Sequence, residues 1–475
     1  MRILLVTHRY PPAHSAGTEV YTAELARRLA ARGEDVRVFT AEKDVALPDL
    51  GLRERRHEGI PVRELVNNLF LTDFRQTWER PEIERLFGQV LEELRPDVVH
   101  FQHLMYLSVG CLREAARRGC AVVFTLHDFW LQCARFGQLV HGDGSICHVV
   151  DFERCGTCMG TFKWRQTELQ RRAGKTLARI RSATGIDLAT AGRTLAGLVP
   201  RRASEPLHMP HPAAGEDPGA AASDWRRVYA EATRERSAAL RAAALEHVDR
   251  FVSPSRFLRQ RLVEWGLPAE RVEYAPTGID ARAFALPRES DPDRVRIAFI
   301  GSLVAIKGAH VLVEAFGALD EARRARAELV LYGPSQHEPE YVERLQSEAA
   351  RVGARLGGAL SRDEVPRALA RADLLVIPSL WYENRPLIVL EALAARTPLL
   401  VSDLGGLAEL VEDGKVGWRF PVGDAARLAE RLRAIVDDRR VLDALYADDP
   451  ELPDWEGLVD STVRLYREIR AAKRG

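Results

Sequence analysis

Short apolar runs alternate with segments of helical periodicity along most of the chain, and this alternation constrains the fold more than any other feature. Residues 2–7 form the first apolar run, a helical pattern follows, and Gly33 precedes a second run at 36–39. Strands that alternate with helices build parallel sheets, because each crossover helix returns the chain to the same end of the sheet. The sequence therefore predicts an α/β protein that opens with a Rossmann-like unit.

The same alternation starts again after the polar stretch 287–293, and 475 residues exceed what one compact core usually holds. We therefore predict one Rossmann-like domain at 1–285 and a second at 286–452. Residues 130–247 interrupt the pattern and are predicted to be a helical, cysteine-rich insertion in the first domain. The last segment, 453–475, is predicted to be a helix that braces the two domains.

Composition limits the class of protein. Lysine plus arginine and aspartate plus glutamate both number 68, so no overall charge favours nucleic acid as a partner. No apolar run reaches the roughly 20 residues that a membrane span requires. The first residues run straight into a strand without a small-residue cleavage site, so no signal peptide is expected. Six cysteines in a chain of this length favour a reducing compartment, and we predict a cytoplasmic protein.

The stretch 378–394 joins a buried apolar run to a helix with leucines at helical spacing. Pro386 suits the first turn of that helix because proline has no N–H to lose. The strand-to-helix loop before it carries Glu383, Asn384 and Arg385. Free amides at such a helix start bind anions, and phosphate above all, so the loop is a candidate phosphate site.

Two glutamates accompany this candidate phosphate site. Glu383 precedes the helix and Glu391 lies in its second turn, so one carboxylate can accept hydrogen bonds from hydroxyl groups beside the phosphate and the other can do so deeper in the cleft. Recognition of a phosphate-linked polyol is one interpretation, and a capping glutamate plus a solvated helix glutamate is the other. Lys307 lies at another strand-to-helix junction of the second domain, where a lysine can neutralise phosphate as a point charge.

The first domain has its own candidate residues. A G-x-G-x-x-G fingerprint is absent, which argues against a nicotinamide or flavin site. Gly17 at a helix start is either a close backbone approach to a ligand or a tight turn. His127 follows the apolar run 121–125, and ligands of open parallel sheets bind outside the carboxyl ends of the strands, so it is either functional or structural.

The predicted insertion contains a cluster of cysteines. Cys133, Cys147, Cys155 and Cys158 lie within 26 positions and end in Cys-Gly-Thr-Cys. Four thiolates make a closed tetrahedral zinc site, although the 13-residue gap between the first two is irregular for a zinc finger. A structural zinc or other metal is one hypothesis for these residues. Free thiols or a reversible disulfide are the others.

A basic segment follows the cysteines. Residues 162–202 contain ten lysines and arginines against two acidic residues, with apolar side chains among them. Such a segment favours peripheral contact with an anionic membrane at its inner face, or with an anionic acceptor. A solvated helix in an arginine-rich protein is the alternative.

Eight motifs along the chain form one recognisable set. They are Tyr10-Pro-Pro through Gly17-Thr-Glu, Asp97-Val-Val-His-Phe-Gln-His103, Thr125-Leu-His127-Asp, Val252-Ser-Pro-Ser255, Pro276-Thr-Gly-Ile-Asp280, Gly301-Ser-Leu through Lys307-Gly308, Glu383 through Glu391-Ala-Leu, and Ser402-Asp-Leu-Gly-Gly406 with Glu409. Together they resemble the retaining glycosyltransferases of family 4, which share the GT-B fold of two Rossmann-like domains facing a cleft. The resemblance covers nearly the whole chain outside 130–247.

By that resemblance the donor is a sugar attached to a nucleoside diphosphate and lies mainly against the second domain. The diphosphate would be bound by Lys307 and by the backbone of Asn384, Arg385, Pro386 and Leu387. Two departures from the family pattern occur: a serine follows the glycine that closes the first strand of this domain, where arginine is frequent, and the first loop lacks paired glycines. Lys307 and Arg385 would then carry more of the phosphate charge.

The resemblance also implies roles for the remaining residues. Glu391 would accept the ribose hydroxyls, Glu383 would contact the hydroxyls of the transferred sugar, and the stretch 356–360 would pass the base. From the first domain, Gly17 would lie against the distal phosphate across the cleft, and His127 would help to position the sugar.

The implied reaction is a hexosyltransferase-like, metal-independent, front-face transfer that retains the anomeric configuration. The leaving phosphate oxygen would take the proton of the acceptor, so no residue is assigned as general base. A glycan, a lipid-linked sugar or a small molecule would be the acceptor, as in polysaccharide biosynthesis. A non-catalytic nucleotide-sugar-binding protein and a nucleotide-sugar epimerase on the same fold are the alternative functions.

Overall fold

A computed structural model describes residues 1–14, 16–45, 47–160, 162, 164–165, 172–176, 179–180, 184, 218–289, 291 and 293–474, without the side chains of 218–224. The chain divides into two compact units. The first unit comprises Met1–Ser253, Arg261–Glu273 and Val459–Gly475, and the second comprises Pro254–Gln260 and Tyr274–Leu458.

An eight-stranded sheet forms the centre of the first unit. Its strands are β1 (Arg2–Thr7), β2 (Asp35–Glu42), β3 (Leu52–His57), β4 (Ile60–Val66), β5 (Val98–Phe101), β6 (Ala121–Thr125), β7 (Arg250–Ser253) and β8 (Val272–Tyr274). The spatial order is β3-β4-β2-β1-β5-β6-β7-β8, and β3 pairs antiparallel with β4 while β1 is parallel to both β2 and β5. The strand order therefore reverses between β1 and β5.

Helices connect these strands. They are α1 (Gly17–Ala31), α2 (Pro81–Leu94), α3 (Gly110–Arg117), α4 (Phe152–Gly160), α5 (Pro218–His247) and α6 (Arg256–Trp265), the last of which passes from the second unit into the first. The strands β5 and β6 are buried at every residue. Continuous burial is typical of parallel strands that are covered on both faces, and it confirms the prediction made from the apolar runs.

A six-stranded sheet forms the centre of the second unit. Its strands are β9 (Val295–Ile300), β10 (Ala327–Tyr332), β11 (Arg355–Gly358), β12 (Leu374–Ile377), β13 (Leu399–Ser402) and β14 (Gly417–Phe420). All neighbours are parallel in the order β11-β10-β9-β12-β13-β14. The chain moves outward from β9 in one direction and from β12 in the other, so the topological switch point lies between these two strands.

The helices of the second unit are α7 (Ala309–Gly317), α8 (Glu321–Ala325), α9 (Pro339–Val352), α10 (Val365–Arg371), α11 (Leu387–Ala394), α12 (Gly405–Leu410) and α13 (Ala425–Asp437). The final helix, α14 (Trp455–Arg474), clusters with the second unit up to Leu458 and with the first unit from Val459. That α14 braces the two domains stays a prediction. Among the described residues, none of the helices has both the length and the apolarity that a membrane crossing needs.

The boundary between the units lies at Tyr274, some residues before the expected domain boundary at 285/286. The physical reason is burial of the linking segment in the core of the second unit. Ile279 and Phe284 both belong to that core, and the Ile279 N–H donates to the Pro453 carbonyl over 2.9 Å. Within the expected insertion 130–247 the structure describes α4 and α5, whereas most of the basic segment 162–202 lies outside the described residues.

Candidate functional site

The switch point of the second unit brings together two residues that are far apart in the sequence. Lys307 follows β9 and Glu383 follows β12, and these strands are neighbours in the sheet. The Lys307 Nζ donates to Glu383 Oε1 over 2.7 Å. Ligands of open α/β sheets bind at the carboxyl ends of the strands that flank such a point, so this pair lies where the topology places a ligand.

Glu383 is held by three donors on one oxygen. Besides Lys307, the Ser379 hydroxyl donates to Oε1 over 2.8 Å and the Trp381 indole N–H donates over 2.9 Å. The Lys307 ammonium also lies 4.9 Å from the centroid of the Trp381 ring, within reach of a cation–π contact. The carboxylate is only 7% exposed, yet no group in the described part of the chain bonds its Oε2. Glu383 is thus an oriented anion with one oxygen uncommitted.

The loop that carries Lys307 is attached to the loop that follows β12. The Leu380 N–H donates to the Ile306 carbonyl over 2.8 Å. Gly308 has φ +72°, and a Cβ there would lie 1.9 Å from the Pro378 carbonyl oxygen. Only glycine allows this backbone approach, which fixes where the lysine side chain starts.

The loop that carries Asn384 is attached to α12 in a similar way. The Gly406 N–H donates to the Glu383 carbonyl over 2.9 Å, and a Cβ at Gly406 would lie 1.5 Å from the Asn384 carbonyl oxygen. The Ser255 hydroxyl hydrogen-bonds to Asn384 Oδ1. These contacts explain the glycine at 406, whose structural role the motif itself does not reveal.

The start of α11 has no side-chain cap. Pro386 occupies the N-cap position and Leu387 is the first helical residue, which corrects the expectation that Pro386 lies within the first turn. The φ of −67° at Pro386 is the value that the proline ring imposes on the backbone. The helix therefore starts one position later than expected. The first amides of α11 therefore remain available to a bound anion.

Arg385 is engaged within the second unit. Its guanidinium is half-buried, hydrogen-bonds to Tyr274 and lies near Glu409, and burial lowers its pKa. Its Nε is buried, and no partner for it lies in the part of the chain that the structure describes. The expected contribution of Arg385 to binding phosphate stays a prediction.

Glu391 is buried in the second turn of α11 and is 5% exposed, so the interpretation as a solvated helix glutamate is wrong. Its Oε1 accepts from the Arg362 Nη1 over 2.8 Å. Burial raises the pKa of Glu391, and the Arg362 guanidinium counteracts this shift. Sequence analysis did not identify Arg362; its position two residues after the stretch 356–360 is the signal that could have found it.

In the first unit, His127 follows β6 as predicted. Its Nε2 hydrogen-bonds to Gln102 Oε1 over 2.8 Å, and its ring lies 4.8 Å from the ring of Tyr21. Burial and the neighbouring His103 lower the pKa of His127 to about 3. The imidazole is therefore neutral at physiological pH and can serve as a hydrogen-bonding group rather than as a cation.

Further histidines accompany it at the carboxyl ends of β1 and β5. The His8 ring lies 4.4 Å from that of His103, and His103 Nε2 hydrogen-bonds to Asp128 Oδ2 over 2.9 Å. Burial lowers the pKa of His8 well below its usual value. His8 was not singled out from the sequence, although it directly follows the first strand.

Gly17 begins α1 after Ala16, and no side chain caps this helix start. A Cβ added at Gly17 would meet no described atom within 4 Å. Packing inside the unit therefore gives no reason for a glycine here. The alternatives of a ligand approach and a tight turn both remain, and the role of Gly17 stays a prediction.

Among the described residues, the four cysteines of the insertion form no disulfide bond, and they lie close enough to interact electrostatically. The Cys133 sulfur accepts from the backbone amides of Arg135 and Leu139. Burial raises the pKa of Cys147 to about 11. Within the described ranges, no three His, Cys, Asp or Glu side chains are arranged to hold a metal ion, so a metal at Cys133, Cys147, Cys155 and Cys158 stays a prediction.

Three family models match the chain. Residues 285–448 match "Glycosyl transferases group 1", residues 16–148 match "Glycosyl transferase 4-like domain", and residues 207–283 match "Glycosyltransferase Family 4". Between them they cover every strand of the two sheets except β1, and the segments that carry Gly17, His127, Lys307, Glu383 and Glu391.

Curated relatives agree with these matches. The α-D-kanosaminyltransferase of Streptomyces kanamyceticus is 28% identical over 43% of this chain and 56% of its own length. The D-inositol 3-phosphate glycosyltransferase of Acidothermus cellulolyticus is 25% identical over 97% of this chain and 87% of its own length. The chain spans about half the length of the first curated relatives that it matches, such as the kanosaminyltransferase and the glycogen synthase of Mycobacterium tuberculosis.

Solved structures share the fold. Anabaena HepE in complex with UDP and glucose superposes with a TM-score of 0.59 at 14% identity, covering 98% of this chain and 99% of that one. Sucrose-phosphate synthase from Thermosynechococcus elongatus superposes with a TM-score of 0.59 at 17% identity, covering 99% of this chain and 100% of that one. The family matches and the shared fold together show that the chain belongs to the GT-B glycosyltransferases of the family 4 type.

Proposed function

We propose that the protein transfers a sugar from a nucleoside-diphosphate sugar to an acceptor, with retention of the anomeric configuration and without a metal ion. Family membership supports the reaction class, and the geometry around Glu383 supports the donor class. The acceptor is a glycan, a lipid-linked sugar or a small molecule. The setting is cytoplasmic, with peripheral contact to an anionic membrane as a further part of the proposal.

The observation that carries this proposal is the arrangement of Lys307 and Glu383. Three donors converge on Oε1 of Glu383 and fix the orientation of the carboxylate. Its other oxygen, Oε2, has no protein partner among the described residues. An oriented carboxylate beside an ammonium suits a ligand that carries both hydroxyl groups and phosphate. In the proposal, Glu383 Oε2 accepts from a hydroxyl of the transferred sugar, and Lys307 binds the diphosphate.

The leaving group needs negative charge to be stabilised as the bond to the sugar breaks. Lys307 and the backbone N–H groups between Asn384 and Leu387, to which Pro386 contributes none, would supply this stabilisation without a metal, because they are fixed before the reaction begins. The expelled phosphate oxygen would then take the proton of the acceptor hydroxyl on the same face of the sugar. No side chain is assigned as a general base in this scheme.

The remaining roles are part of the same proposal. Glu391 would accept from the ribose hydroxyls, and Arg385 would contribute positive charge near the phosphates. From the first unit, Gly17 would approach the distal phosphate and His127, which is neutral, would position the sugar by hydrogen bonding. Each of these assignments rests on the family resemblance together with the local geometry of the residue.

Transfer assays on Glu383→Ala and Glu383→Gln test the proposal, using UDP-, GDP- and ADP-sugars as donors. Both variants should lose at least about 100-fold in kcat/KM, the usual scale for removing one electrostatic contact to the reacting group. Glu412→Ala is the matched control, because Glu412 is exposed and, among the described residues, forms an ion pair at the surface with Lys415 alone. Near-normal transfer by either Glu383 variant would contradict the assignment.

Product analysis separates the two alternative functions. A non-catalytic binding protein would bind a nucleotide without turning over any sugar donor, and an epimerase would release an isomerised sugar in the absence of an acceptor. The proposed transferase instead yields a glycosylated acceptor, with only slow hydrolysis of the donor when no acceptor is present.

A further inference from the structure

Arg362 lies in the segment between β11 and α10, and its guanidinium reaches a buried carboxylate. Its Nη1 donates to Glu391 Oε1 over 2.8 Å. The Arg362 side chain is 61% exposed, whereas that of Glu391 is 6% exposed. The pair therefore joins a solvent-facing cation to an anion in the interior of the second unit.

The turn that presents Arg362 is fixed by its own hydrogen bonds. Both the N–H and the hydroxyl of Ser361 donate to Glu364 Oε2 over 2.7 Å. Glu364 is in turn the N-cap residue of α10. Arg362 is thus held between a bonded serine and the start of a helix, which limits the positions that its side chain can reach.

An isolated buried carboxylate is costly to ionise, so the partner of Glu391 decides its charge. In the described part of the chain, Arg362 is the charged group that interacts with the Glu391 carboxylate, and it donates to Oε1 alone. The second oxygen, Oε2, has no protein partner among those residues. The pairing favours the ionised form of Glu391 against the effect of burial and orients one oxygen for a hydroxyl donor.

We propose that Arg362 is a positioning residue that holds Glu391 as an oriented anion and so makes the protein select ribonucleotides over deoxyribonucleotides. This inference rests on the proposed function, because it takes the ribose of the donor nucleotide as the group that Glu391 recognises. An ionised oxygen accepts a hydroxyl hydrogen bond more strongly than a protonated carboxyl group does. Without Arg362, both the ionisation and the orientation of Glu391 weaken.

Calorimetric titration with UDP, GDP and ADP first identifies the nucleotide that binds. Titration with the 2′-deoxy and 3′-deoxy forms of that nucleotide then tests the inference. The unmodified protein should prefer the ribonucleotide over at least one deoxy form by about tenfold, the scale of a hydrogen bond to a charged group. Arg362→Ala should lose about tenfold for the ribonucleotide and little for that deoxy form. Arg362→Lys should keep most of the preference, since it retains the charge.

Arg367→Ala is the matched control, because Arg367 is an exposed arginine on the adjacent α10 for which no ion pair is found among the described residues. It should bind all the nucleotides as the unmodified protein does. Thermal unfolding of each variant shows that the fold is intact.

The pH dependence provides a second readout that a merely structural role would not move. In the unmodified protein, Arg362 opposes the upward shift that burial causes in the pKa of Glu391. Arg362→Ala removes this opposition, so Glu391 takes up a proton at a higher pH. The acid-side loss of ribonucleotide affinity should therefore begin at a higher pH in this variant, and the deoxy form should show a smaller change.

Two results would overturn the inference alone: an Arg362→Ala variant that keeps the ribose preference, and one that loses affinity equally for the ribo and deoxy forms. The second result would mean that Arg362 attracts the diphosphate by charge. If the unmodified protein binds no nucleoside diphosphate at all, the proposed function fails, and this inference fails with it.

Discussion

At the scale of single residues, one oriented carboxylate defines the candidate site. The hydroxyl, indole and ammonium donors on Glu383 Oε1 leave little rotational freedom to a side chain that is 8% exposed. A pre-oriented acceptor loses little entropy when it binds a hydroxyl group, and positioning of this kind contributes a large part of enzymatic rate enhancement. The fixed orientation of the Glu383 carboxylate, and not merely a glutamate at this position, is therefore what suits the site to binding a hydroxyl group.

The sequence predicted some of these residues and missed others for a physical reason. Lys307 and Glu383 follow apolar runs, and strand ends can be recognised from such runs. Arg362 acts on Glu391, 29 residues further along the chain, so its position after the stretch 356–360 marks a candidate but not the contact. Ser379 lies four residues before Glu383 in the same loop, where nothing distinguishes it from any other loop serine. His8 lies between these cases, because it follows β1 but single histidines are most often structural.

Gly17 allows a test of ligand contact that is separate from stability. A methyl group at this position meets no described atom within 4 Å, so Gly17→Ala should change the free energy of unfolding by less than about 0.5 kcal/mol. If the donor phosphate approaches this backbone, the same methyl group displaces it. The value of kcat/KM should then fall by at least about tenfold, because small displacements of a reacting group are costly.

Thermal unfolding and transfer kinetics of Gly17→Ala, with Ala31→Ser at the exposed end of α1 as control, give both quantities. Unchanged transfer by Gly17→Ala would favour the interpretation of Gly17 as a tight turn.

At the scale of helices, strands and loops, the site is built from segments that are held together by close backbone contacts. The loop after β9 packs on the loop after β12 at Gly308, and the loop before α11 packs on α12 at Gly406. Surface loops are usually the most mobile parts of a protein. Here each loop is bonded to another element through its main chain, so the candidate binding residues lie on a fixed frame.

Gly406→Ala tests this frame. A Cβ would lie 1.5 Å from the Asn384 carbonyl oxygen, so the loop or the helix must move. We expect a loss of about 1–3 kcal/mol in the free energy of unfolding, the range for overpacking, together with weaker nucleotide binding. Denaturant unfolding and nucleotide titration measure the two effects.

Gly17→Ala is the matched control for the stability measurement alone, since it adds the same methyl group at a helix start with open space around it. A Gly406→Ala protein with the stability and nucleotide affinity of the unmodified protein would show that the loop does not depend on this contact.

Strand prediction succeeded where the strands are apolar and buried on both faces, as in β1, β5, β6 and β9. It missed the β3–β4 hairpin, because β3 reads Leu-Arg-Glu-Arg-Arg-His and is only partly buried at the edge of the sheet. A charged edge strand has no apolar run to reveal it. Its pairing with β4 is antiparallel and local, which a search for strand–helix alternation does not detect.

The start of α3 shows the same limitation. The helical periodicity of residues 107–118 predicts a helix over that whole stretch, but the structure begins it at Gly110. The reason lies in the contacts of Ser108, whose hydroxyl donates to Glu84 over 2.6 Å and accepts from the Arg80 N–H over 3.0 Å. These long-range bonds hold the preceding residues outside the helix.

At the scale of the whole molecule, the chain folds into two units whose sheets each reverse their strand order at a switch point. The repeated alternation predicted two such domains, but it did not predict that Pro254–Gln260 clusters with the second unit. The carboxylate of Glu409 explains this assignment, since it accepts the amides of Arg256 and Phe257 over 3.0 and 2.9 Å. A carboxylate at a helix start is a stabilising contact that no sequence-local pattern reveals.

The central claim is that Lys307 and the start of α11 bind the diphosphate of an activated sugar. Calorimetric titration of the protein with UDP, GDP and ADP tests it most directly, with Lys307→Ala and the exposed Lys415→Ala as a matched pair of variants. The account predicts that the unmodified protein and Lys415→Ala bind the same nucleotide equally well, whereas Lys307→Ala binds it at least about 30-fold more weakly, the upper scale of a lost charge-assisted hydrogen bond. Equal affinity in Lys307→Ala, or no binding of any nucleoside diphosphate by the unmodified protein, would contradict it.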